Sequence, residues 1–246
     1  MQARQILIAL AIRNKGDWSA TYNDILKKAE PTEEELAKAE GVECLTLLDE
    51  DYPTVLKQSF RPPFVLFYKG NKSLLNDTKK VAVLGSRSPK ERTENFTEKF
   101  INKRSETIIS ELNKGIDEKA LKLALKNGNR VIAVMGSGID YCYPKSLQAL
   151  YTEIALNGLL ISEYPFDTLP DTNSLMFRKR ITASLASHIC LMDSKKKSGS
   201  DVLINFALEQ GKEIYVCPDM EDDEESQANE LIEQGANCLT LATELE

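Results

Sequence analysis

Short turns rich in glycine, serine and basic residues follow several apolar runs of this sequence. Glycine and serine let backbone N–H groups approach an anion, and arginine or lysine adds full positive charge. Any one such turn is better explained by a tight chain reversal, but the repetition of these turns along one sheet edge, together with the basic run 178–180, favours an anion site. We therefore expect a phosphate-binding rim formed by Gly85, Ser86, Arg87, Lys114, Gly115, Gly136, Ser137, Gly138, Arg178, Lys179, Arg180, Lys196, Ser198, Gly199 and Ser200.

Known nucleotide-binding motifs are incomplete in this chain. Gly136-Ser137-Gly138 could begin the dinucleotide fingerprint G-x-G-x-x-G, but Tyr141 stands where the third glycine belongs. The motif also follows the third predicted strand of the sheet, whereas the fingerprint opens the first βαβ unit. No G-x-x-x-x-G-K-[ST] loop is present. The sequence therefore predicts no nicotinamide or flavin cofactor.

Residues suited to catalysis are few. The single histidine, His188, lies within an apolar run and is expected in the core. Without a second histidine or a cysteine cluster, neither a transition-metal site nor a Ser-His-Asp triad is indicated. Glu163 and Asp140 follow apolar runs, where carboxylates commonly hold arginines or cap helices. We therefore expect a binding protein with no metal and no catalytic residue.

Four aromatic residues lie near the expected rim. Aromatic side chains interleaved with basic ones bind single-stranded nucleic acid by stacking on bases. Shielding of the sheet edge is an equally good explanation for the same residues, and the sequence leaves both open. The four residues are Tyr141, Tyr143, Tyr164 and Phe177.

Apolar runs alternate with amphipathic stretches from residue 80 onward, which is typical of βα units. Helices between buried strands imply right-handed crossovers and a parallel sheet covered on both faces. The runs, read as strands, are 81–84, 107–109, 131–135, 159–161, 188–192 and 213–217. Gly128, Gly158, Gly211 and Gly235 precede runs and suit helix C-terminal caps with positive φ. The fold class predicted is α/β, with a doubly wound, mostly parallel sheet.

The first 70 residues have a different, mainly helical pattern. Residues 2–13 have helical apolar spacing, and Thr32 with Glu35 forms a capping box. A strand is predicted at 64–68, followed by a polar joint. We therefore expect a small helical N-terminal domain with an entry strand, residues 1–70, and an α/β domain, residues 71–246.

Composition is that of a globular protein, and its charge is unevenly placed. The 246 residues carry a net charge of −7, yet residues 76–218 carry a net charge of +4. The five cysteines form no C-x-x-C pair, which favours a reducing cytoplasm. The first apolar stretch, residues 6–12, is far shorter than the roughly 20 residues of a membrane span. Neither a membrane helix nor a signal peptide is expected.

In this order, the turns resemble the DNA-processing protein A family (DprA, also called Smf). Any one of them is a weak signal, but the ordered set is specific and covers almost the whole chain. The matching segments are 51–53, 63–70, 81–87, 115–117, 131–144, 162–165, 178–181, 198–200 and 207–212.

The resemblance implies a Rossmann-like domain and a role without catalysis. Such a protein is a cytoplasmic homodimer that binds single-stranded DNA without sequence preference. It helps to displace single-strand-binding protein and loads RecA recombinase during natural transformation. By position, the resemblance places four cations at a phosphate-binding pocket shaped by the Gly85, Gly136 and Ser198-to-Ser200 turns: Arg87, Lys114, Arg178 and Arg180.

The chain departs from the family pattern at several positions. Glu111 stands where the family usually has glycine, and Lys179 where it has asparagine; Leu121 and Asp219 also differ from the usual histidine and glycine. Glu111 would repel a phosphate unless it turned away. The family's frequent C-terminal winged-helix extension has no counterpart up to Glu246, so a divergent member without it is expected.

Two other functions fit parts of the sequence. A nucleotide-binding or nucleotide-hydrolysing enzyme related to the lonely-guy phosphoribohydrolases would share a similar core. That family carries a P-G-G-x-G-T turn before a catalytic glutamate, whereas this chain has Ser198-Gly199-Ser200-Asp201. A nucleotide sensor or protein-interaction module is the other alternative, should Glu111 have abolished DNA binding.

Overall fold

A nine-stranded sheet forms the centre of the computed structural model, which describes residues 3–196, 198–220 and 223–245. Every strand predicted from an apolar run is present, with its ends shifted by at most two residues. The strands are β1 (Cys44–Thr46), β2 (Val65–Gly70), β3 (Lys80–Leu84), β4 (Thr107–Glu111), β5 (Val131–Met135), β6 (Leu159–Ser162), β7 (His188–Leu191), β8 (Glu213–Val216) and β9 (Asn237–Cys238).

The strand order explains where a ligand site can form. Across the sheet the order is β1-β2-β6-β5-β4-β3-β7-β8-β9. From β6 to β9 all neighbours are parallel, whereas β1 and β2 pair antiparallel. Successive strands proceed from β3 toward β6 and then, from β7, in the opposite direction. The switch point therefore lies between β3 and β7, and the predicted doubly wound sheet is confirmed.

Helices pack on both faces of the sheet. They are α1 (Ala3–Arg13), α2 (Trp18–Leu26), α3 (Glu33–Ala39), α4 (Thr54–Lys57), α5 (Glu91–Ile101), α6 (Ile116–Lys126), α7 (Gln148–Asn157), α8 (Thr172–Phe177), α9 (Lys179–Leu185), α10 (Gly199–Glu209) and α11 (Ala228–Glu233). None within the described ranges has the length and apolar character of a membrane span.

Alternating residues of each buried strand feed two separate cores. In β3, Val81 and Val83 belong to the core under α1, α5, α6 and α7. Ala82 and Leu84 belong to the core under α4, α9, α10 and α11. Because side chains of a strand point to opposite faces in turn, a strand buried on both faces must be apolar throughout. This is why the strands appear in the sequence as continuous apolar runs.

The N-terminal segment contributes both helices and strands. Predicted residue 2 lies outside the described residues, and α1 is helical from Ala3. Thr32 caps α3, and the predicted capping box with Glu35 is present. The domain division after residue 70 stays a prediction. It falls between strands of one sheet, because β2 pairs with β6 from Phe67–Ser162 to Gly70–Leu159.

Three of the four predicted glycine caps have the left-handed backbone. Gly128, Gly211 and Gly235 have φ of 75°, 63° and 109°. Gly158 differs, with φ of −144° and ψ of −139°. A Cβ atom there would lie 2.8 Å from the carbonyl oxygen of Val131. Glycine is therefore required at this position because the end of α7 lies close to β5, and not because the backbone has a positive φ.

Candidate functional site

A cleft opens at the carboxyl ends of β3 and β7, at the switch point of the sheet. Its volume is about 330 Å³, within the range of small-ligand sites. Eight of the fifteen predicted rim residues line it. The complete lining is Leu84, Gly85, Ser86, Arg87, Glu111, Asn113, Asp117, Leu175, Met176, Arg178, Lys179, Leu191, Asp193, Lys195, Ser198, Gly199, Ser200 and Leu203.

The turn after β3 is shaped by the start of α6. Gly115 has φ of 81°, and a Cβ atom there would overlap the carbonyl oxygen of Ser86. The Ile116 N–H donates to that carbonyl at 3.1 Å, and the Gly85 N–H donates to Asp117 Oδ1 at 3.2 Å. Gly115 therefore packs directly against the backbone of the turn after β3. The amide of Gly85 already has a hydrogen-bond partner inside the protein.

The other side of the cleft is the first turn of α10. Ser198 caps this helix, and its Oγ accepts from the Ser200 N–H at 3.2 Å. Gly199 lies close to Lys179 Cε, which a Cβ atom would approach to 3.2 Å. The eleven-residue helix directs the positive end of its dipole into the cleft.

Glu111 forms the floor together with two of the predicted cations. Its side chain is fully buried, and Oε2 accepts from Arg178 Nη2 at 2.8 Å and from Lys179 Nζ at 3.1 Å. Burial opposes ionisation, but the two cations together outweigh it and lower the pKa of Glu111. Glu111 therefore does not turn away from the cleft, and it holds the charge of Arg178 and Lys179 inside the protein.

Glu111 and Lys179, two positions where a departure from the resembled family was expected, lie in contact, with Lys179 Nζ 3.1 Å from Glu111 Oε2. A glutamate buried here without a cation would be strongly disfavoured. Lys179 and Arg178 together therefore make the burial of Glu111 possible.

A second buried carboxyl group lies beside this cluster. Asp117 Oδ2 accepts from Asn113 Nδ2 at 2.9 Å, and Asn113 Oδ1 in turn accepts from Arg178 Nη2 at 2.9 Å. Burial, and then the negative charge of Glu111, raises the pKa of Asp117 to about 7. The Nε atom of Arg178 is buried and has no hydrogen-bond partner within the described part of the chain. The floor thus has one unmatched donor and a carboxyl group that titrates near neutral pH.

Arg180 lies apart from the cleft, although the resemblance places it at the pocket. It is fully buried, and Nη2 donates to both carboxylate oxygens of Glu163 at 2.6 and 2.7 Å. Nε donates to the Arg61 carbonyl at 2.9 Å, and Nη1 to the Phe177 carbonyl at 3.0 Å. These bonds join three chain segments, so Arg180 is positioned as a structural cross-link.

The turn after β5, residues 136–138, does not line the cleft either. Ser137 is buried, with its hydroxyl donating to the Tyr141 carbonyl at 2.7 Å. A Cβ atom on Gly138 would overlap the Phe166 carbonyl oxygen, and one on Gly136 would approach Arg178 Cδ at 3.1 Å. Close packing against the following loop and α8 therefore accounts for these glycines.

Two of the predicted cations are exposed and lack a carboxylate partner among the described residues. They are Arg87, which lines the cleft, and Lys114, beside the supporting Gly115. Lys196 is exposed too, but its Nζ lies 2.7 Å from Glu230 Oε1. Lys195 in the cleft pairs with Glu225 at 3.0 Å. Arg87 therefore supplies the positive charge most accessible to a ligand.

Asn113 and Asp117 line the cleft but were not among the residues predicted for the rim. Asp117 belongs to the matching segment 115–117 and lies in the first turn of α6, so an acid following a glycine turn was the available signal. No sequence signal pointed to Asn113, because its role depends on a hydrogen bond from Arg178, which is 65 residues away.

Comparisons with known proteins agree with the fold and identify the family. The family model for DNA recombination-mediator protein A matches residues 43–245. DNA processing protein DprA of Bacillus subtilis is 31% identical over 212 residues, which are 85% of this chain and 71% of that protein. The Streptococcus pneumoniae protein of the same name is 36% identical over 198 residues, 79% and 70% of the two chains.

Two solved structures are similar throughout most of the fold. The X-ray structure of DNA processing protein A from Streptococcus pneumoniae has a TM-score of 0.82 and 32% identity, covering 93% of this chain and 83% of that one. DNA processing protein A from Helicobacter pylori, described for its single-stranded DNA binding mode, has a TM-score of 0.73 and 28% identity. The matched region covers 82% of this chain and 93% of the Helicobacter pylori chain.

Proposed function

Because this chain belongs to the DNA recombination-mediator protein A family, we propose that it binds single-stranded DNA without sequence preference and mediates recombination. It acts in the cytoplasm as a homodimer, helps to displace single-strand-binding protein, and loads a RecA-type recombinase onto DNA taken up by the cell. The loading step is tested by recombinase ATPase activity on coated DNA, and the dimer by sedimentation.

The switch-point cleft is the observation that carries the DNA-binding proposal. It combines the exposed Arg87 with the N-terminus of α10 and the serines of its cap. Four cations and three acidic residues line it, and the pKa of one of the acids, Asp117, is about 7. The cleft is therefore at least weakly cationic on a chain whose net charge is −7, which favours a polyanion there over the rest of the surface.

Lack of sequence preference follows from the kind of group the cleft offers. Guanidinium and helix N-terminal amides bind phosphate oxygens, which every nucleotide has. The carboxylate of Glu111, which could accept from a base, is already bound to Arg178 and Lys179. Contacts in the cleft therefore position the backbone and do not select a base.

A salt titration tests this proposal directly. Binding of a fluorescein-labelled oligo-dT is followed by anisotropy at several salt concentrations. For single strands, log K should fall with log salt at a slope of about −0.7 for each phosphate neutralised. Affinity that is equal at low and high salt would contradict phosphate binding.

The charge of Arg87 can be removed with a matched control. Arg87→Gln should weaken binding of oligo-dT and of mixed sequences by the same factor, and should reduce the salt slope by about 0.7. Lys126→Gln removes one exposed positive charge from the end of α6, at the opposite edge of the sheet; Lys126 has no ion pair with any residue that the structure describes. It should leave affinity unchanged; equal losses in both variants would mean that only net charge matters.

We propose that the protein acts by binding rather than by catalysis. Glu111 and Asp117 are the buried carboxyl groups of the cleft, and both are held by internal hydrogen bonds. His188 lies at the amino end of β7, 3.7 Å from Glu213 Oε2, and does not line the cleft. Incubation with nucleoside monophosphates tests the alternative, since release of free base would identify a phosphoribohydrolase.

A further inference from the structure

A second groove lies beside the cleft, between the N-terminal segment and helices α8 and α10. Its volume is about 720 Å³. Aromatic rings are prominent in its walls: Trp18, Tyr164, Phe177 and Phe206 all line it. Arg61 reaches over this surface, with its guanidinium carbon 5.2 Å from the ring centres of both Trp18 and Phe60. The Trp18 ring also stacks on Tyr22 and Phe64, at 5.0 and 5.1 Å between ring centres, so the exposed guanidinium of Arg61 is the planar group that this surface offers to a ligand.

The charges of the groove balance. Its charged lining residues are Lys15, Asp17, Arg61 and Asp171. Both carboxylates cap helices: Asp17 accepts from the Ala20 N–H at 2.6 Å, and Asp171 from the Ser174 N–H at 2.6 Å. Lys15 and Arg61 are exposed and have no ion pair among the described residues. A neutral groove with aromatic walls suits uncharged flat rings better than phosphates.

The groove adjoins the cleft and shares a wall with it. Met176 of α8 lines both cavities. On α10, Ser200 and Leu203 face the cleft, whereas Val202 and Phe206 face the groove. Bases in a single strand project from the phosphate backbone, so a strand held in the cleft by its phosphates can direct bases across α8.

We propose that this groove is a base-stacking subsite for single-stranded DNA, in which unpaired bases lie against the Trp18–Arg61 surface. The inference rests on the proposed function, since phosphates must occupy the cleft first. It commits to nucleobases because aromatic and guanidinium planes stack on every base without reading its edge. A duplex keeps its bases stacked internally, so the groove selects single strands.

Trp18 is the sole tryptophan of the chain and therefore a specific reporter of the groove. Oligo-dT is titrated while its anisotropy and the Trp18 emission are recorded together. An abasic oligodeoxyribose phosphate of equal length supplies the same phosphates without bases. We expect oligo-dT to quench Trp18 and to bind about tenfold tighter or more than the abasic strand, which should leave the emission unchanged.

Two variants of Arg61 separate stacking from charge. Arg61 has φ of 46°, and asparagine tolerates this backbone, so Arg61→Asn removes the side chain at little strain. Arg61→Lys keeps the charge but loses the planar guanidinium. Both should weaken oligo-dT binding about fivefold or more and leave abasic-strand binding within about twofold of wild type. Lys126→Asn, a charge change outside both cavities, should alter neither.

The outcomes distinguish the two proposals. Binding of oligo-dT without quenching of Trp18, and with equal affinity for the abasic strand, would overturn the base subsite and leave the cleft intact. Wild-type behaviour of Arg61→Lys beside a weakened Arg61→Asn would show that charge alone acts there, which also overturns it. Absence of salt-dependent binding of either strand would overturn the proposed function and the subsite together.

Discussion

Replacing Glu111 by glutamine should strengthen DNA binding while weakening the fold. A phosphate oxygen bound to Lys179 would lie within about 6 Å of the Glu111 carboxylate, two hydrogen-bond lengths away. At that separation, and with an effective dielectric constant of about 20, their repulsion is about 3 kcal/mol. Removing it should tighten oligo-dT binding by about 100-fold at low salt.

The same change leaves Arg178 and Lys179 buried without their counter-charge. Breaking a buried pair from one side typically costs about 3–5 kcal/mol of unfolding free energy, so the Tm should fall by roughly 10 °C. Inorganic phosphate should restore part of the loss, because it binds the native state. If E111Q does not fold, the double variant Glu111→Gln with Lys179→Gln restores the charge balance and should be more stable than E111Q.

Anisotropy with labelled oligo-dT and thermal denaturation monitored by circular dichroism measure both effects. Glu118→Gln is the matched control, since it removes the same charge from the α6 surface, where Glu118 pairs with Lys122 at 2.6 Å. It should change neither affinity nor Tm appreciably. A folded E111Q that binds no tighter than wild type would refute the placement of phosphate near Lys179.

Three further predictions concern titration, packing and the second buried pair. Because the pKa of Asp117 is about 7, its protonation removes a negative charge from the cleft as the pH falls from about 8 to about 6. Oligo-dT affinity, measured by anisotropy, should therefore rise over this pH range. Asp117→Asn should remove this dependence of affinity on pH. Gly138→Ala should lower the Tm sharply, because its Cβ would overlap a carbonyl oxygen of the facing loop, whereas Gly199→Ala meets only flexible side-chain ends and should have little effect. Arg180→Met should cost about 3–5 kcal/mol by leaving Glu163 unpaired, measured by denaturant unfolding; stability equal to wild type would contradict the cross-link.

The order of strands and turns was sufficient to predict that two of the turns meet at one edge of the sheet. Gly85–Arg87 and Ser198–Ser200 are far apart in the chain, yet both follow parallel strands and therefore meet at one edge of the sheet. The rule that ligands bind beyond the carboxyl ends of strands needs only the order of elements. The strand positions themselves followed from apolar runs, because burial on both faces removes polar residues.

Burial of the 178–180 basic run could not be predicted from local pattern. Three consecutive cations are typical of a solvated surface, but every residue of α9 is buried beneath the sheet. The carboxylates that make this possible, Glu111 and Glu163, lie 67 and 17 residues from the arginines they hold. Similarly, nothing local to 136–138 indicates that the 166–168 loop closes over that turn.

Glu111 holds two cations in the floor of the cleft, Arg178 and Lys179. Loss of the Lys179 charge would leave Arg178 as a counter-ion for Glu111, whereas loss of the Glu111 charge would leave two neighbouring cations without their shared carboxylate. Neutral substitutions should therefore be tolerated more readily at position 179 than at position 111.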